Sequence, residues 1–514
     1  MTAPAVTLGV GAPSIDDVVA VARLGAAVEL SAEALAEIDR TRAVVDALAE
    51  DARPHYGIST GFGALALRQI PPRLRTELQR SLIRSHAAGS GPEVEREVVR
   101  ALMFLRLSTL ATGRTGVRRE TATAYAALLS GGITPVVPEH GSLGCSGDLA
   151  PLAHCALALM GEGPVRDRDG ERRGAAEALA EAGLAPVTLA EKEGLALING
   201  TDGMLGMLVL AIHDLRTLLA TADIAAAMSI EGLLGTDAVL AEDLQALRPH
   251  PGQAAAAANM RAVLAGSPIV ASHRGPEDTR VQDAYSLRCA PAVAGGARDT
   301  LDHATLVAQR ELAAAIDNPV ITPDGRVESN GNFHGAPLAY VLDFLAIVAA
   351  DLASIAERRT DRFLDAARSH GLPPFLAHDP GVDSGYMIAQ YTQAGLVSEL
   401  KRLAVPASVD SIPSSAMQED HVSMGWSAAR KLRRSVDALT RVLAIELLTA
   451  GRGIDLRGHL DPAPATAAVI GELRRRVAGP GPDRFLAADV EAAVGLVAAG
   501  RIRAAAESVT GPLR

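Results

Sequence analysis

Three long stretches of the sequence contain no proline, and this spacing constrains the fold more than any other feature. The stretches cover residues 187–248, 338–372 and 414–461 and are rich in Ala, Leu, Glu and Arg, which favour helices, whereas proline breaks a helix interior. A helix of about 35 residues runs roughly 50 Å, so helices of this length must pack against one another. The spacing therefore predicts a mainly α fold that is built on a long-helix bundle.

The N-terminal part of the chain predicts shorter elements. Its first fifty residues indicate two amphipathic helices, because Ser14 and Asp17 have capping-box spacing and apolar residues recur at helical intervals up to Leu48. We expect residues 1–200 to form a head of helices and loops, and residues 201–514 to form the bundle that carries the oligomer core. Strand patterns of period two are scarce throughout.

Charge and cysteine content predict the compartment and exclude several partners. A net charge of −11 argues against nucleic acid or an anionic membrane as partner. Cys145, Cys155 and Cys289 form no CxxC pair, which fits a reducing compartment, and the N-terminus lacks the basic and apolar regions of a signal peptide. The strongest apolar stretches, 204–212 and 344–350, are too short to span a bilayer. We predict a soluble, cytoplasmic protein.

The numbers and spacing of lysine, histidine and aromatic residues indicate which cofactors and what kind of assembly to expect. The three lysines, at 192, 401 and 431, lie in charged helical contexts, which disfavours pyridoxal chemistry because that cofactor needs a Schiff-base lysine. The thirteen histidines show no HExxH or paired Cys/His spacing, so we predict no metal. Aromatic residues are 3% of the chain. The core must therefore use Ala, Leu and Val, and leftover apolar surface favours burial between subunits.

The tripeptide Cys145-Ser146-Gly147 can make an electrophile from the chain itself. The amide nitrogen of Gly147 attacks the carbonyl carbon of residue 145, and loss of water from Ser146 then leaves an exocyclic methylidene on a five-membered ring. Glycine suits the third position because it has no Cβ to oppose so tight a fold. The alternative is a glycine-rich turn that caps a helix, with Asp148 at the helix start and Pro151 in the first turn.

The surrounding string, residues 141–154, resembles the cofactor-forming segment of the aromatic amino acid ammonia-lyases. In that family the ring is 4-methylidene-imidazol-5-one (MIO), which forms autocatalytically and replaces an external cofactor. The resemblance extends from Tyr56 to at least Trp426, with one departure: most members have Ala where this chain has Cys145. It implies a homotetramer whose active sites draw residues from several subunits.

The implied reaction explains the need for an electrophile. Removing ammonia from an α-amino acid breaks a β C–H bond that no side-chain base can attack unaided, and ammonia is a poor leaving group. The methylidene ring withdraws electron density first, and a position at the helix N-terminus that begins near Asp148 favours negative charge on the ring oxygen.

The resemblance also assigns site residues. It implies three catalytic positions, Tyr56, Ser146 and Tyr285, and six substrate-binding positions, His86, Asn199, Gln282, Arg288, Phe333 and Glu419. Tyr56 begins a glycine-rich loop and is the implied base for the β proton. Gln282, Tyr285 and Arg288 have i, i+3, i+6 spacing, which predicts one side of a helical segment, and Arg288 is expected to hold the substrate carboxylate.

His86 and Glu419 bear on the substrate class. The Ser-His pair at 85–86 and the glutamate at 419 resemble the members that act on histidine, whereas tyrosine and phenylalanine lyases tend to have His-Leu, Phe-Leu and Gln there. An imidazole can hydrogen-bond another imidazole, donor to acceptor. We therefore expect the conversion of L-histidine to trans-urocanate and ammonia.

Two other functions are compatible with parts of the sequence. One is a different MIO enzyme, either a phenylalanine or tyrosine lyase or an aminomutase, and His86 and Glu419 argue against it. The other is a non-catalytic helical oligomer that kept the fold. The presence of Tyr56, Ser146, Tyr285 and Arg288 together argues against a scaffold, because a scaffold needs none of them.

Overall fold

The computed structural model describes residues 4–275, 278 and 281–514, and these residues are mainly helical. The α-helices are α1 Ile15–Arg23, α2 Ala32–Glu50, α3 Arg75–His86, α4 Arg96–Ala111, α5 Arg119–Ser130, α6 Leu149–Leu159, α7 Ala175–Glu181, α8 Glu193–Ile198, α9 Asp202–Gly232, α10 Glu242–Ala246, α11 Pro251–Leu264, α12 Pro268–Ala271, α13 Tyr285–Arg288, α14 Ala290–Leu312, α15 Ala336–Leu364, α16 Met387–Leu403, α17 Gly425–Asp455, α18 Pro464–Arg474, α19 Leu486–Ala498 and α20 Arg501–Thr510. The predicted mainly α fold is confirmed.

The three longest of these helices fall in the proline-free stretches, except that α15 begins two residues earlier and has Pro337 in its first turn. α9 and α17 have 31 residues each and α15 has 29. Near the N-terminus, α1 begins with a full capping box, in which Ser14 and Asp17 bond reciprocally to each other's backbone N–H groups. The long helices and the capped first helix are therefore as the sequence predicts.

Short strands are the part of the fold that the sequence pattern does not predict. They are β1 Val6–Leu8, β2 Val28–Leu30, β3 Ser90–Glu93, β4 Thr134–Pro135, β5 Pro138–His140, β6 Pro164–Arg166, β7 Arg172–Gly174, β8 Val320–Ile321 and β9 Val327–Glu328. β1 pairs with β2 in parallel, while β3–β5, β4–β6–β7 and β8–β9 pair antiparallel. With two to four residues each, these strands are too short to show a period of two.

The chain divides into two compact units. The first contains residues 1–210, 305–342 and 406–430, and the second contains residues 211–304, 343–405 and 431–514. The boundaries fall inside α9, α14, α15 and α17, and in the segment between α16 and α17. In the first unit, α4 is buried along almost its whole length and packs against α1, α2 and α5. The head and bundle divided at residue 200 stay a prediction.

Two of the described helices, α9 and α15, are long and apolar enough to cross a bilayer. Most of the apolar window, 78% in α9 and 61% in α15, is buried inside the structure. Core helices of soluble proteins have the same length and hydropathy, so these two helices are weak evidence for a membrane.

Candidate active site

The segment that contains the candidate MIO tripeptide is anchored on both sides, within the first unit. The carbonyl oxygen of Gly144 accepts hydrogen bonds from Ser423 Oγ (2.6 Å) and from the N–H of Gly335 (2.9 Å). At the other end, the N–H of Asp148 donates to the carbonyl of Gly200 at 2.7 Å. Separate parts of the chain therefore fix the position of residue 146.

Gly147 is required here by contact as well as by conformation. Its φ is +74° and that of Ser146 is +52°, in the left-handed region that residues with a Cβ rarely adopt. A Cβ built on Gly147 would lie 2.0 Å from the carbonyl oxygen of Gly200. The strained backbone at Ser146 and the missing Cβ at Gly147 fit the tight fold that ring closure needs.

The turn interpretation predicts that the Asp148 side chain caps α6, but the side chain instead holds this segment to the start of α9. It immediately precedes α6, but its carboxylate makes no cap bond there. Oδ2 instead accepts from the N–H groups of Gly203 (2.9 Å) and Met204 (3.0 Å) at the start of α9, and Oδ1 accepts from Ser142 Oγ (2.8 Å). The carboxylate is fully buried, and burial raises its pKa to about 7. Asp148 therefore occupies the N-cap position of α6, as the turn alternative has it, but its side chain does not cap that helix.

A cavity of about 560 Å³ in the first unit is lined by five of the predicted site residues together. These residues are Tyr56, His86, Ser146, Asn199 and Glu419. They come from a loop, the end of α3, the tripeptide, the segment between α8 and α9, and the segment before α17. The fold therefore gathers a phenol, an imidazole, a carboxamide and a carboxylate around the candidate electrophile.

His86 presents one defined nitrogen as an acceptor. Its Nδ1 lies 2.9 Å from the carbonyl oxygen of Leu82, which selects the tautomer with the proton on Nδ1 and leaves Nε2 as the acceptor. Burial lowers the pKa of the imidazole, against the opposing effects of the Leu82 hydrogen bond and of Glu419. His86 is therefore neutral near pH 7 and can accept a hydrogen bond from a ligand N–H.

Glu419 lies directly beside the tripeptide. Its Oε1 is 3.2 Å from Ser146 Oγ, and its Oε2 accepts from Ser414 Oγ at 3.0 Å and lies 3.6 Å from Cys145 Sγ. Burial and the adjacent Glu419 raise the pKa of the Cys145 thiol to about 12. The carboxylate supplies a second acceptor in the cavity, and the thiol stays protonated.

Tyr56 and Asn199 each have an oxygen available for chemistry in the cavity. The phenolic oxygen of Tyr56 accepts from the N–H of Gly63 at 3.2 Å, and this donor stabilises negative charge on that oxygen. Asn199 donates from Nδ2 to the carbonyl of Asn318 (3.2 Å), while its buried Oδ1 has no hydrogen-bond partner. An unpartnered buried acceptor is costly, so Asn199 Oδ1 fits a ring or ligand donor in this cavity.

Comparison with known proteins identifies the family. The sequence model for aromatic amino acid lyases matches residues 14–475. The chain belongs to the aromatic amino acid lyase family. A histidine ammonia-lyase of Streptomyces coelicolor is 68% identical over 510 residues, 99% of each chain, and one of Anaeromyxobacter sp. is 50% identical over 94% of this chain and 96% of its own.

Solved structures of family members have the same fold. Histidine ammonia-lyase from Trypanosoma cruzi is 38% identical, with a TM-score of 0.90 over 99% of this chain and 95% of its own. Tyrosine aminomutase from Streptomyces globisporus is also 38% identical, with a TM-score of 0.94 over 99% and 100%. This aromatic amino acid lyase is therefore a carbon–nitrogen lyase, and the fold is shared by members with different substrates.

The other predicted site residues of this lyase lie elsewhere. Gln282, Tyr285 and Arg288 belong to the second unit, where Tyr285 is 70% exposed and the guanidinium of Arg288 lies 4.5 Å from its ring centre. Gln282 precedes α13, so the predicted helical segment from 282 to 288 is wrong at its start. Phe333 is half-buried in the turn before α15 and is not part of the cavity lining described above.

Buried charges near Asn199 hold the backbone around this residue, and sequence reasoning missed them. The fully buried Arg106 of this lyase donates from Nη1 to the carbonyl of Asn199 at 2.9 Å and from Nη2 to that of Ile316 at 3.0 Å. Lys192 and Asp317 form an ion pair with both side chains at 0% exposure. In the sequence, Arg106 and Asp317 can be recognised only as charged residues within apolar stretches. That pattern indicates burial but does not reveal which groups they bond to.

The buried pair also corrects one expectation about lysine. Lys192 does not lie in a charged helical context: it precedes α8 with φ +73° and is fully buried. Within the described parts of the chain, no cluster of three or more His, Cys, Asp or Glu side chains is placed to hold a metal ion. The prediction that no metal is needed stays a prediction.

Proposed function

We propose that this lyase converts L-histidine to trans-urocanate and ammonia. Relatives that are 68% and 50% identical over nearly the whole chain carry the name histidine ammonia-lyase. Since a tyrosine aminomutase has the same fold, the fold alone does not select the substrate. The observation that carries the proposal is the pair of acceptors, His86 Nε2 and the Glu419 carboxylate, which line one cavity with Ser146.

These acceptors suit an imidazole better than a benzene ring. The substrate imidazole donates through N–H, whereas a phenyl ring has no donor and a phenol has a single hydroxyl. His86 accepts from the substrate because its own proton is held by Leu82, and Glu419 offers a negatively charged acceptor. A site that is built to pair a substrate N–H rejects analogues that leave its buried acceptors unpaired.

The other residues bind the amino acid portion and move the proton. Tyr56 takes the β proton, with its phenolic oxygen held by the Gly63 N–H. Asn199 directs its unpartnered Oδ1 to the ring or to the amino end of the substrate. The MIO ring, which we propose forms from Cys145-Ser146-Gly147, supplies an electrophile that withdraws electron density from the substrate.

We propose a homotetramer in which Gln282, Tyr285 and Arg288 of one subunit serve the site of another, with Phe333 completing it. The high exposure of Tyr285 supports this arrangement, as does a buried Arg288 Nε without a hydrogen-bond partner. On α15, Phe344 and Ile347 are also 45% and 43% exposed, which suits helix contacts between subunits. We further propose a cytoplasmic location, because all three cysteines are free.

The decisive experiment is ultraviolet absorbance on adding L-histidine to the purified protein, with L-tyrosine and L-phenylalanine in parallel. We expect a urocanate signal with histidine alone. Product from tyrosine or phenylalanine instead would keep the lyase mechanism and refute the role of His86 and Glu419. His86→Leu is expected to lower kcat/KM for histidine by about 10- to 100-fold, because it leaves the substrate N–H unpaired.

Ser146→Ala separates the enzyme from a scaffold. This variant lacks the hydroxyl that ring formation must eliminate, so we expect loss of activity with unchanged assembly in size-exclusion chromatography. An intact-mass measurement of the unaltered chain should show the loss of two water molecules, one from ring closure onto the residue-145 carbonyl and one from the Ser146 side chain. Full activity of Ser146→Ala would rule out the proposed electrophile, and loss of assembly would mean that the segment is structural.

A further inference from the structure

A second cavity in the first unit is lined by arginines and shares no lining residue with the catalytic cavity. Its volume is about 940 Å³, and it lies among α1, the start of α4, the end of α5 and the β6–β7 turn. Its charged lining residues are Arg23, Glu95, Arg96, Glu97, Arg100 and Arg168. None of them belongs to the proposed reaction.

The positive charge of this cavity is only partly neutralised. Glu97 pairs with Arg23 at 2.7 Å, and Glu95 pairs with Arg430. Arg96, Arg100 and Arg168 have no carboxylate within 4.0 Å in the described ranges 4–275, 278 and 281–514. Three guanidinium groups therefore face one cavity without a carboxylate in ion-pair contact, although Glu95 and Glu97 also line it; we call them the arginine cluster.

Arg100 is the buried member of the cluster. It is 3% exposed, and its guanidinium donates to the carbonyls of Val21 (2.9 and 3.0 Å) and Leu129 (3.0 Å). These carbonyls satisfy donors but supply no negative charge, and a buried charge is costly unless it is paired. Burial, followed by repulsion from Arg96 and Arg168, lowers the pKa of Arg100 to about 10. Both observations indicate a place where an anion would be stabilised.

The exposed members are held at the edge of the cavity by backbone carbonyls. Arg96 Nη2 donates to Gly132 O (3.3 Å), and Arg168 Nη2 donates to Ser130 O (3.4 Å). Gly132 has φ +78°, and a Cβ there would lie 3.3 Å from the Cβ of Arg168. The glycine therefore leaves room for Arg168 to lie against the α5 terminus.

We propose that the arginine cluster binds the phosphoryl group of a phosphate-bearing metabolite. The planar guanidinium matches phosphate oxygens in paired hydrogen bonds, and three cations suit a dianion better than a single carboxylate. A cavity of about 940 Å³ is much larger than inorganic phosphate and leaves space for an organic remainder. Because the arginine cluster lines no part of the catalytic cavity, a bound ligand would act first on the stability of the first unit around α4 and α5.

The test is calorimetric titration of the full-length protein with inorganic phosphate, pyrophosphate, adenosine monophosphate and citrate, at matched ionic strength. The comparison uses the double variant Arg96→Gln/Arg168→Gln. Arg172→Gln is the matched control, because Arg172 is on the same β6–β7 hairpin but pairs with Glu93 at 3.8 Å. Thermal unfolding with and without each anion gives a second readout.

We expect at least one phosphoryl compound to bind and to raise the melting temperature. The double variant should weaken that binding by about tenfold or more, since charge-assisted hydrogen bonds are lost, while the control stays within about twofold. Tighter binding of adenosine monophosphate than of inorganic phosphate would support a phosphate-bearing metabolite as the ligand. Equal binding of the two would overturn the metabolite and leave free phosphate as the ligand. Tighter binding of citrate than of every phosphoryl compound, no binding at all, or equal binding by the double variant would overturn the proposal. Histidine turnover should be the same in the double variant as in the unaltered protein, because the two cavities share no lining residue.

Discussion

Loss of either partner of the Lys192–Asp317 pair should destabilise the first unit strongly. Both side chains are at 0% exposure, and Lys192 Nζ donates to Asp317 Oδ2. Removing one partner leaves the other as an uncompensated buried charge, which costs about 3–5 kcal/mol. For a unit of this size about 2 °C of melting temperature corresponds to 1 kcal/mol, so we expect a decrease of roughly 6–10 °C.

The positive charge of Arg106 beside the pair predicts which of the two single variants is less stable. Burial lowers the pKa of Lys192 and raises that of Asp317, and the positive charge of Arg106 adds a smaller lowering of both, by repulsion of Lys192 and attraction of Asp317. After Lys192→Met, Asp317 keeps the nearby Arg106 cation, whereas after Asp317→Asn, Lys192 is left with the repulsion of both Arg106 and Arg42. Asp317→Asn should therefore be the more destabilising of the two, and Lys192→Met/Asp317→Leu should recover part of the loss.

The assay is thermal unfolding followed by tryptophan fluorescence. The chain has one tryptophan, and Trp426 is buried in the first unit with its Nε1 donating to the carbonyl of Glu139 at 2.7 Å. It therefore reports the unit that contains the pair. A melting temperature within about 1 °C of the unaltered protein for either single variant would refute the reasoning, since no buried charge could then be uncompensated.

Three further predictions concern the tripeptide segment. Gly147→Ala should abolish turnover, because its Cβ would lie 2.0 Å from Gly200 O, whereas Gly170→Ala, also at positive φ but with open space, should keep full activity in the absorbance assay. The pKa of Asp148 is raised to about 7 from 3.8; the folded state therefore keeps a proton that the unfolded chain releases, and this group's contribution to stability falls as pH rises from about 4 to about 7. A melting-temperature series over pH should accordingly decline less steeply for Asp148→Asn, and an equal slope would contradict this. The Cys145 thiol, with a pKa of about 12, should resist iodoacetamide at neutral pH in peptide mass analysis, and rapid alkylation would show that it is ionised.

Local chemistry made much of this protein predictable from its sequence. Helix propensity and the absence of proline act within a few residues, so α9, α15 and α17 follow directly from composition. The capping box at Ser14 is equally local. The reactive tripeptide also depends on three consecutive residues, although its family resemblance was needed to choose ring formation over a simple turn.

The tertiary structure alone decided which distant groups meet. Tyr56, His86 and Glu419 line one cavity because loops and helix ends from separate parts of the first unit converge there. Asp148 caps α9 although it stands at the start of α6, and Lys192 finds its counter-ion at Asp317. A residue's type sets what it can donate, accept or ionise, but its partner and its pKa depend on burial and on groups brought close by long-range packing. For this reason the sequence determined the helices and the chemistry available to the site. Folding determined the geometry of the candidate active site and brought together three arginines that have no carboxylate in ion-pair contact.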